Sequence, residues 1–316
     1  MALAVTSGGC VPLDAPPAGD QRTGALTAGI LDTGDPAVVA LMFADHAACT
    51  GVLVASRVVL TAAHCLVVHS AMPRVLFGAD AASPLAVLDV DADGIFVHAD
   101  FNPLSRAHDI AALVLQEEAP VGISPFAMAP SLGAGAGAGT AASVVGEGIS
   151  VRLVGFGHDS DQPAPGAPHV KRQGTATITS LAADTVTLSP APSQACLGDS
   201  GGPVLVGAPG GGEVLAGLVL GGITSCVDAA TALRVDAYAD SFITPVIAGA
   251  AMTGTGPPTT DGGGCAVAGR SRVAGSLWPV ALILAASLLT SSRRPAKRRR
   301  HVQSAASREK GGYSVW

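Results

Sequence analysis

The sequence predicts an all-β protein, a barrel or a sandwich, and three observations lead there. Short apolar runs recur along the chain, each closed by Gly, Pro, Asp or Ser. The runs are rich in Val, Leu and Thr and too brief for ordinary helices. A low-complexity piece, GAGAGAGT at 133–140, divides them into two groups. So much glycine disfavours both strand and helix, and the piece reads as a flexible connector.

Ahead of that divider stand AVVALMF (37–43), TGVLVASRVVL (50–60), RVLFG (74–78), IFVHADF (95–101) and IAALVLQ (110–116). After it come VRLVGFG (151–157), ATITSL (176–181), DTVTLS (184–189), PVLVG (203–207) and EVLAGLVLGG (213–222). VDAYADSFITPVI at 235–247 reads as a terminal helix.

The ends differ from this body. Residues 1–25 read as a leader or pro-segment, mildly apolar and without a basic start. Cys10 is either a lipid-attachment cysteine or a leader cysteine, unpaired or paired with the tail. Residues 251–264 form a Gly/Pro/Thr linker. A tail at 265–300 follows, with Cys265, an apolar stretch over Val273–Thr290 and the run RRPAKRRR. It reads as a hydrophobic tail helix at the short end for a membrane span, its basic cluster held cytoplasmic. Residues 301–316 read as a disordered end.

Charge excludes one class of partner. Residues 1–264 carry 8 Lys and Arg against 23 Asp and Glu, while the last 52 residues carry 10 against one. An acidic body lacks the cationic footprint that nucleic-acid binding requires. The six cysteines form no CxxC or Cys/His group with zinc-ligand spacing. They read as disulfides of an oxidising compartment, with connectivity open and two local groups, 49 with 65 and 196 with 226.

Chemistry concentrates in three places. CLGDSGGP (196–203) surrounds Ser200 with glycines, as backbone N–H groups aimed at a small anionic centre would require. TAAHC (61–65) supplies His64, and AHDIAALVL (107–115) supplies Asp109 at the head of an apolar run. Serine is a poor nucleophile until an imidazole takes its proton, and a buried carboxylate on the other ring nitrogen holds the tautomer. His108 has no assigned role, and the six remaining histidines read as surface or structural.

With TAAHC, DIAAL and GDSGGP in that order, the chain resembles the chymotrypsin-like, trypsin-family serine proteases over about residues 26–250. Supporting matches are CTGVLVASRVVL, VGFG at 154–157 and GLVLGG before Cys226. The resemblance implies two six-stranded antiparallel β-barrels packed at right angles, a short C-terminal helix and a site between the barrels. It implies a serine endopeptidase without cofactor or metal, acting on protein or peptide substrates. Ser200 would be the nucleophile, His64 the general base and then acid, and Asp109 the orienting carboxylate. Gly198 and Ser200 would supply the oxyanion-hole N–H groups. Cys49 would pair with Cys65, and Cys196 with Cys226.

The pattern also has departures. The family is activated by a cut that exposes an Ile-Val-Gly-Gly type terminus, whose ammonium pairs with the aspartate before the serine, here Asp199. The best match makes Leu26 that terminus, after cleavage by an activating protease; Ile30 and a cut after Arg22 are the alternatives. Gln194 falls at the base of the primary pocket, with Gly222 and Ala230 as walls, so Lys/Arg selection by charge is disfavoured in favour of apolar or polar residues. Leu220 and Gly221 stand where the family has Ser and an aromatic residue. DVDADG (89–94) resembles the start of a calcium loop, with Asp89, Asp91 and Asp93 alternating and Asp100 twelfth, yet such alternation also marks the wet face of a strand. The tail, with Cys265, resembles the tripartite MYXO-CTERM sorting signal of some Gram-negative surface proteins, implying display at the cell surface; a plain stop-transfer anchor is the alternative. A catalytically silent binding module and an esterase with the same triad are the competing functions.

Overall fold

The structure is a computed structural model that describes residues 26–44, 46–67, 69, 71–130, 144–158, 169–222, 226 and 228–253. The leader, the GAGAGAGT connector and everything after residue 253, tail included, lie outside the described residues.

A two-residue strand, β1 (Ile30–Leu31), is the first element among the described residues. The first barrel follows: β2 (Val38–Phe43), β3 (His46–Ala55), β4 (Val58–Thr61), β5 (Arg74–Phe77), β6 (Ala86–Val97) and β7 (Ala111–Leu115). They close in the order β2-β3-β4-β7-β6-β5, with β5 pairing back onto β2. The second barrel uses β8 (Ser150–Gly155), β9 (Arg172–Leu181), β10 (Thr185–Pro190), β11 (Pro203–Gly207), β12 (Glu213–Gly222) and β13 (Ala230–Arg234). Its order is β8-β9-β10-β13-β12-β11, closed by β11 on β8, and β1 extends it beside β9. Every strand pairing is antiparallel, and the two halves share one topology. Closure leaves few bare strand edges, which would otherwise invite foreign pairing.

Continuous apolar runs, rather than strict alternation, now have a physical reason. In β2, Val39 and Leu41 point into the first barrel with Leu53, Val59, Phe77 and Leu113. Their neighbours Val38 and Ala40 face a second apolar layer with Val52, Leu60, Val154, Phe156, Leu205 and Leu218. Both faces of the strand are buried, so both must be apolar. The second barrel has its own core around Leu153, Ile178, Leu188, Val204 and Ala232. The layer shared by the barrels is where the candidate site lies.

The described residues end in a 3-10 turn (Val235–Tyr238), a π turn (Ala239–Ile243) and the helix Thr244–Thr253. The helix therefore starts later than the sequence pattern indicates, with Pro245 in its first turn, where the missing N–H costs nothing. None of the described helices is long and apolar enough to cross a membrane.

Candidate active site

His64 opens a single helical turn, α1 (His64–Val67), which follows β4. Cys65 within that turn is joined to Cys49 on β3, with an S–S distance of 2.02 Å. Asp109 sits just ahead of β7, after a tight turn in which Arg106 and His108 both take positive φ, +58° and +53°. Side chains of this size rarely adopt such backbone geometry, so the surrounding packing must hold it.

Asp109 is fully buried and grips His64 with both oxygens. Oδ1 accepts the main-chain N–H of His64 at 2.8 Å, and Oδ2 lies 2.7 Å from Nδ1. A carboxylate at Nδ1 favours the tautomer protonated there, which leaves Nε2 as the acceptor. Arg106 reaches the same Oδ2 at 3.4 Å, a contact the sequence reading missed.

Ser200 arrives from the other barrel. Its carbonyl accepts the N–H of Thr50 at 2.9 Å. Its hydroxyl donates to the carbonyl of Leu220 at 3.5 Å and makes no hydrogen bond to His64 in this conformation. The His-Asp link of the Ser-His-Asp chain is thus formed and the Ser-His link is open, a common state without substrate. Neither Gly198 nor Ser200 spends its N–H on another described residue. Gly198 has φ +94°, and a Cβ there would come within 2.9 Å of the Cα of Gly157. Only glycine fits that turn.

Thr50 is a second residue the sequence reading passed over. It is fully buried on β3, and its hydroxyl donates to the carbonyl of Gly198 at 2.8 Å while accepting the N–H of Phe156 at 3.0 Å. One hydroxyl from the first barrel thereby holds two segments of the second. No motif marks it, because its partners are 148 and 106 residues away.

Asp199 is buried, and among the described residues no cation pairs with it. Its carboxylate accepts the N–H groups of Gly157 and Cys196, at 2.8 and 2.9 Å, and of Leu26. Burial pushes its pKa up to about 7, against the pull of those three donors. Leu26 is itself fully buried, with φ +62°, and the next residue pairs with Gln194: Thr27 N–H donates to the Gln194 carbonyl at 3.0 Å.

The Gln194 side chain is fully buried and spent on main chain. Its Nε2 donates to Leu188 and Asp228 carbonyls at 3.1 and 2.6 Å, and its Oε1 accepts the Ala195 N–H at 2.9 Å. Ala230 is fully buried and faces Gly222 across the β12–β13 ladder. Cys196 is joined to Cys226. Cys265 lies outside the described residues.

Asp89, Asp91 and Asp93 lie on β6, and Asp91 pairs with Arg57 at 2.9 Å. Among the described residues, one group of three His, Cys, Asp or Glu side chains has ligand atoms within 4.8 Å of one another: Cys49, His64 and Cys65. Both sulfurs are locked in a disulfide, so that group offers no thiolate to a metal.

A buried ionic cluster ties the start of the chain to the second barrel. Lys171, almost wholly buried, donates to the Asp35 carbonyl and lies 3.8 Å from Asp32. Arg152 binds Asp35 at 2.5 Å and also Glu213. Burial lowers the Lys171 pKa and raises that of Asp32, whereas Asp35 is held below its ordinary value by Arg152.

Two closed barrels with a His-Asp pair and a glycine-flanked serine at their junction define a serine-protease fold. The family model described as Trypsin matches residues 31–242, and the chain belongs to that family. Similar solved structures include human heparin binding protein, with 18% identity, TM-score 0.57 and coverage of 74% of this chain and 100% of that one. Another is mouse neuropsin, described as a serine protease expressed in the limbic system of the brain, with 23% identity, TM-score 0.54 and coverage of 66% and 95%. At these identities the likeness concerns the fold. No curated protein sequence matches the chain.

Proposed function

We propose that the protein is a serine endopeptidase that works through an acyl-enzyme, and that it acts outside the cytoplasm. The observation that carries this reading is the two-point grip of Asp109 on His64, which leaves Nε2 as a base. In the reaction, Nε2 of His64 takes the Ser200 hydroxyl proton as Oγ attacks the peptide carbonyl. Asp109 stabilises the imidazolium that forms. The N–H groups of Gly198 and Ser200 hold the oxyanion, each such donor being worth about 3–4 kcal/mol in the transition state. His64 then passes its proton to the leaving amine, and water repeats the sequence to release the acid.

Cleavage before Leu26 would set an ammonium in place of the N–H that now faces Asp199, and this ion pair is the proposed activation step. The pocket is neutral at its base, because Gln194 has no polar atom to spare, so apolar side chains are the expected primary residues. Two disulfides accord with secretion; attachment to a membrane through the tail belongs to this proposal. A silent binding module is the second reading, favoured by the Ser200 hydroxyl facing Leu220 rather than His64.

The test is a fluorophosphonate probe on purified chain, with the labelled residue found by peptide mass before and after limited proteolysis. Label on Ser200, absent in Ser200→Ala, supports the peptidase. No label under any treatment moves the binding module ahead.

A further inference from the structure

A cavity of about 460 Å³ is lined in part by Leu220, whose carbonyl accepts the Ser200 hydroxyl, and by Gly221. Arg106, His108, Asp184, Thr231 and Tyr238 are among its other walls. Along the Gly221 wall β12 bulges, its register against β13 shifting between Val219 and Gly221. Gly221 has φ +127°, and a Cβ there would meet nothing closer than the Ser200 hydroxyl at 3.9 Å. With no side chain, Gly221 leaves the space around its Cα open, and this backbone is set for glycine.

The polar walls are built rather than incidental. Asp184 sits at the β9–β10 turn, which Arg234 braces through its side chain to the carbonyls of Ala182 and Ala183, at 2.8 and 3.1 Å. The charge of Arg234 is matched by Asp236 at 2.7 Å. Tyr238 O–H donates to Asp184 at 3.4 Å and lies 2.9 Å from Nδ1 of His108. Burial and the charge of Asp184 push the phenol up to about 12, so it stays a donor at neutral pH. His98 stacks on His108 with centroids 5.0 Å apart, and burial lowers the pKa of His98.

Among the described residues, two charged side chains line the cavity, Arg106 and Asp184. Arg106 is matched by Asp109. Asp184 is met by a hydroxyl, and no cation among the described residues pairs with it. Residues 1–264 as a whole are acidic, which favours a cationic guest at longer range. A neutral aromatic guest would fill the volume yet leave Asp184 uncompensated.

We propose that this cavity is a second specificity site, which receives a lysine or arginine side chain of the peptide substrate at one position flanking the scissile bond, with Asp184 as its counter-charge. The inference rests on the peptidase reading. It assigns charge selection to a site next to the primary pocket, whose own base is neutral.

Quenched peptides with Lys, Arg, citrulline or norleucine at each of three positions on either side of an apolar primary residue test it, using the full chain after activation. The expected result is a preference in kcat/KM of ~10-fold for Lys or Arg over citrulline and norleucine at one position, the scale of a charge-assisted hydrogen bond. In Asp184→Asn the preference falls to within twofold, while the norleucine peptide is cut as before. Thr231→Leu, which fills the cavity, lowers the preference without touching Asp184 and serves should Asp184→Asn not fold. Ser200 labelling reports that each variant is intact. If label appears but no position prefers a basic residue, or the preference survives Asp184→Asn, the second site is overturned and the peptidase stands. If neither label nor cleavage appears in the wild type, the peptidase reading itself fails and takes this site with it.

Discussion

In the uncut chain, Asp199 should make stability fall as pH rises from 4 to 7. The carboxyl is raised from 3.8 to about 7 by burial, with N–H donors but, among the described residues, no cation around it. A group whose folded pKa is raised contributes stability that is complete below its unfolded pKa and is lost as pH climbs to the folded value. Three units at 1.36 kcal/mol each give a loss of about 4 kcal/mol across that window. Cleavage before Leu26 reverses the sign locally: an ammonium beside the carboxylate lowers its pKa, and the loss disappears. The assay is urea unfolding at half-unit pH steps with Ser200→Ala, which prevents self-digestion, in uncut form, in cut form, and as Ser200→Ala/Asp199→Asn. Asp32 is also raised by burial and adds a slope of the same sign, so the difference between variants isolates Asp199. The uncut Ser200→Ala protein should lose about 4 kcal/mol more than its Asn partner. Parallel curves for the two uncut proteins would refute the burial argument, and a cut protein with an unchanged slope would refute the ion pair.

Further outcomes follow from the same contacts. Asp199→Ala should abolish peptide hydrolysis while leaving the fold largely intact by circular dichroism; full activity would remove the aspartate from activation. Thr50→Val keeps the shape of the side chain but strands the Gly198 carbonyl and the Phe156 N–H, at ~1–3 kcal/mol each. It should lower kcat by about 10- to 100-fold with little change in KM, and Thr50→Ser should recover most of the rate; equal kcat in all three would make the hydroxyl a spectator. Lys171→Met leaves Asp32 buried without its cation and should cost about 3–5 kcal/mol in denaturant unfolding, with Asp32→Asn/Lys171→Met regaining at least half.

Short-range signals carried much of this protein into view. Runs such as AVVALMF and EVLAGLVLGG form strands, because apolar residues between turn formers have few other ways to bury themselves. Their composition alone left barrel and sandwich open, since closure depends on pairings such as β2 with β5, which no run of residues announces. The glycines around Ser200 were legible for a similar local reason: a turn with φ +94° excludes side chains wherever it occurs.

Long-range contact decided the rest. His64 and Asp109 are 45 residues apart in the chain and 2.7 Å apart in space. Thr50 looked like one more strand residue until its hydroxyl met Gly198 and Phe156 from the other barrel. Lys171 belongs to no motif in the sequence, yet it is buried beside Asp32 and Asp35. Gln194 was expected as a neutral residue at the base of the primary pocket, but the spending of its amide on Leu188, Asp228 and Ala195 was not legible. Residue type limits what a side chain can offer: a proton acceptor, a charge, a turn. Which offer is taken up depends on partners that only folding brings within about 3 Å, and hydrogen bonds weaken steeply beyond that distance.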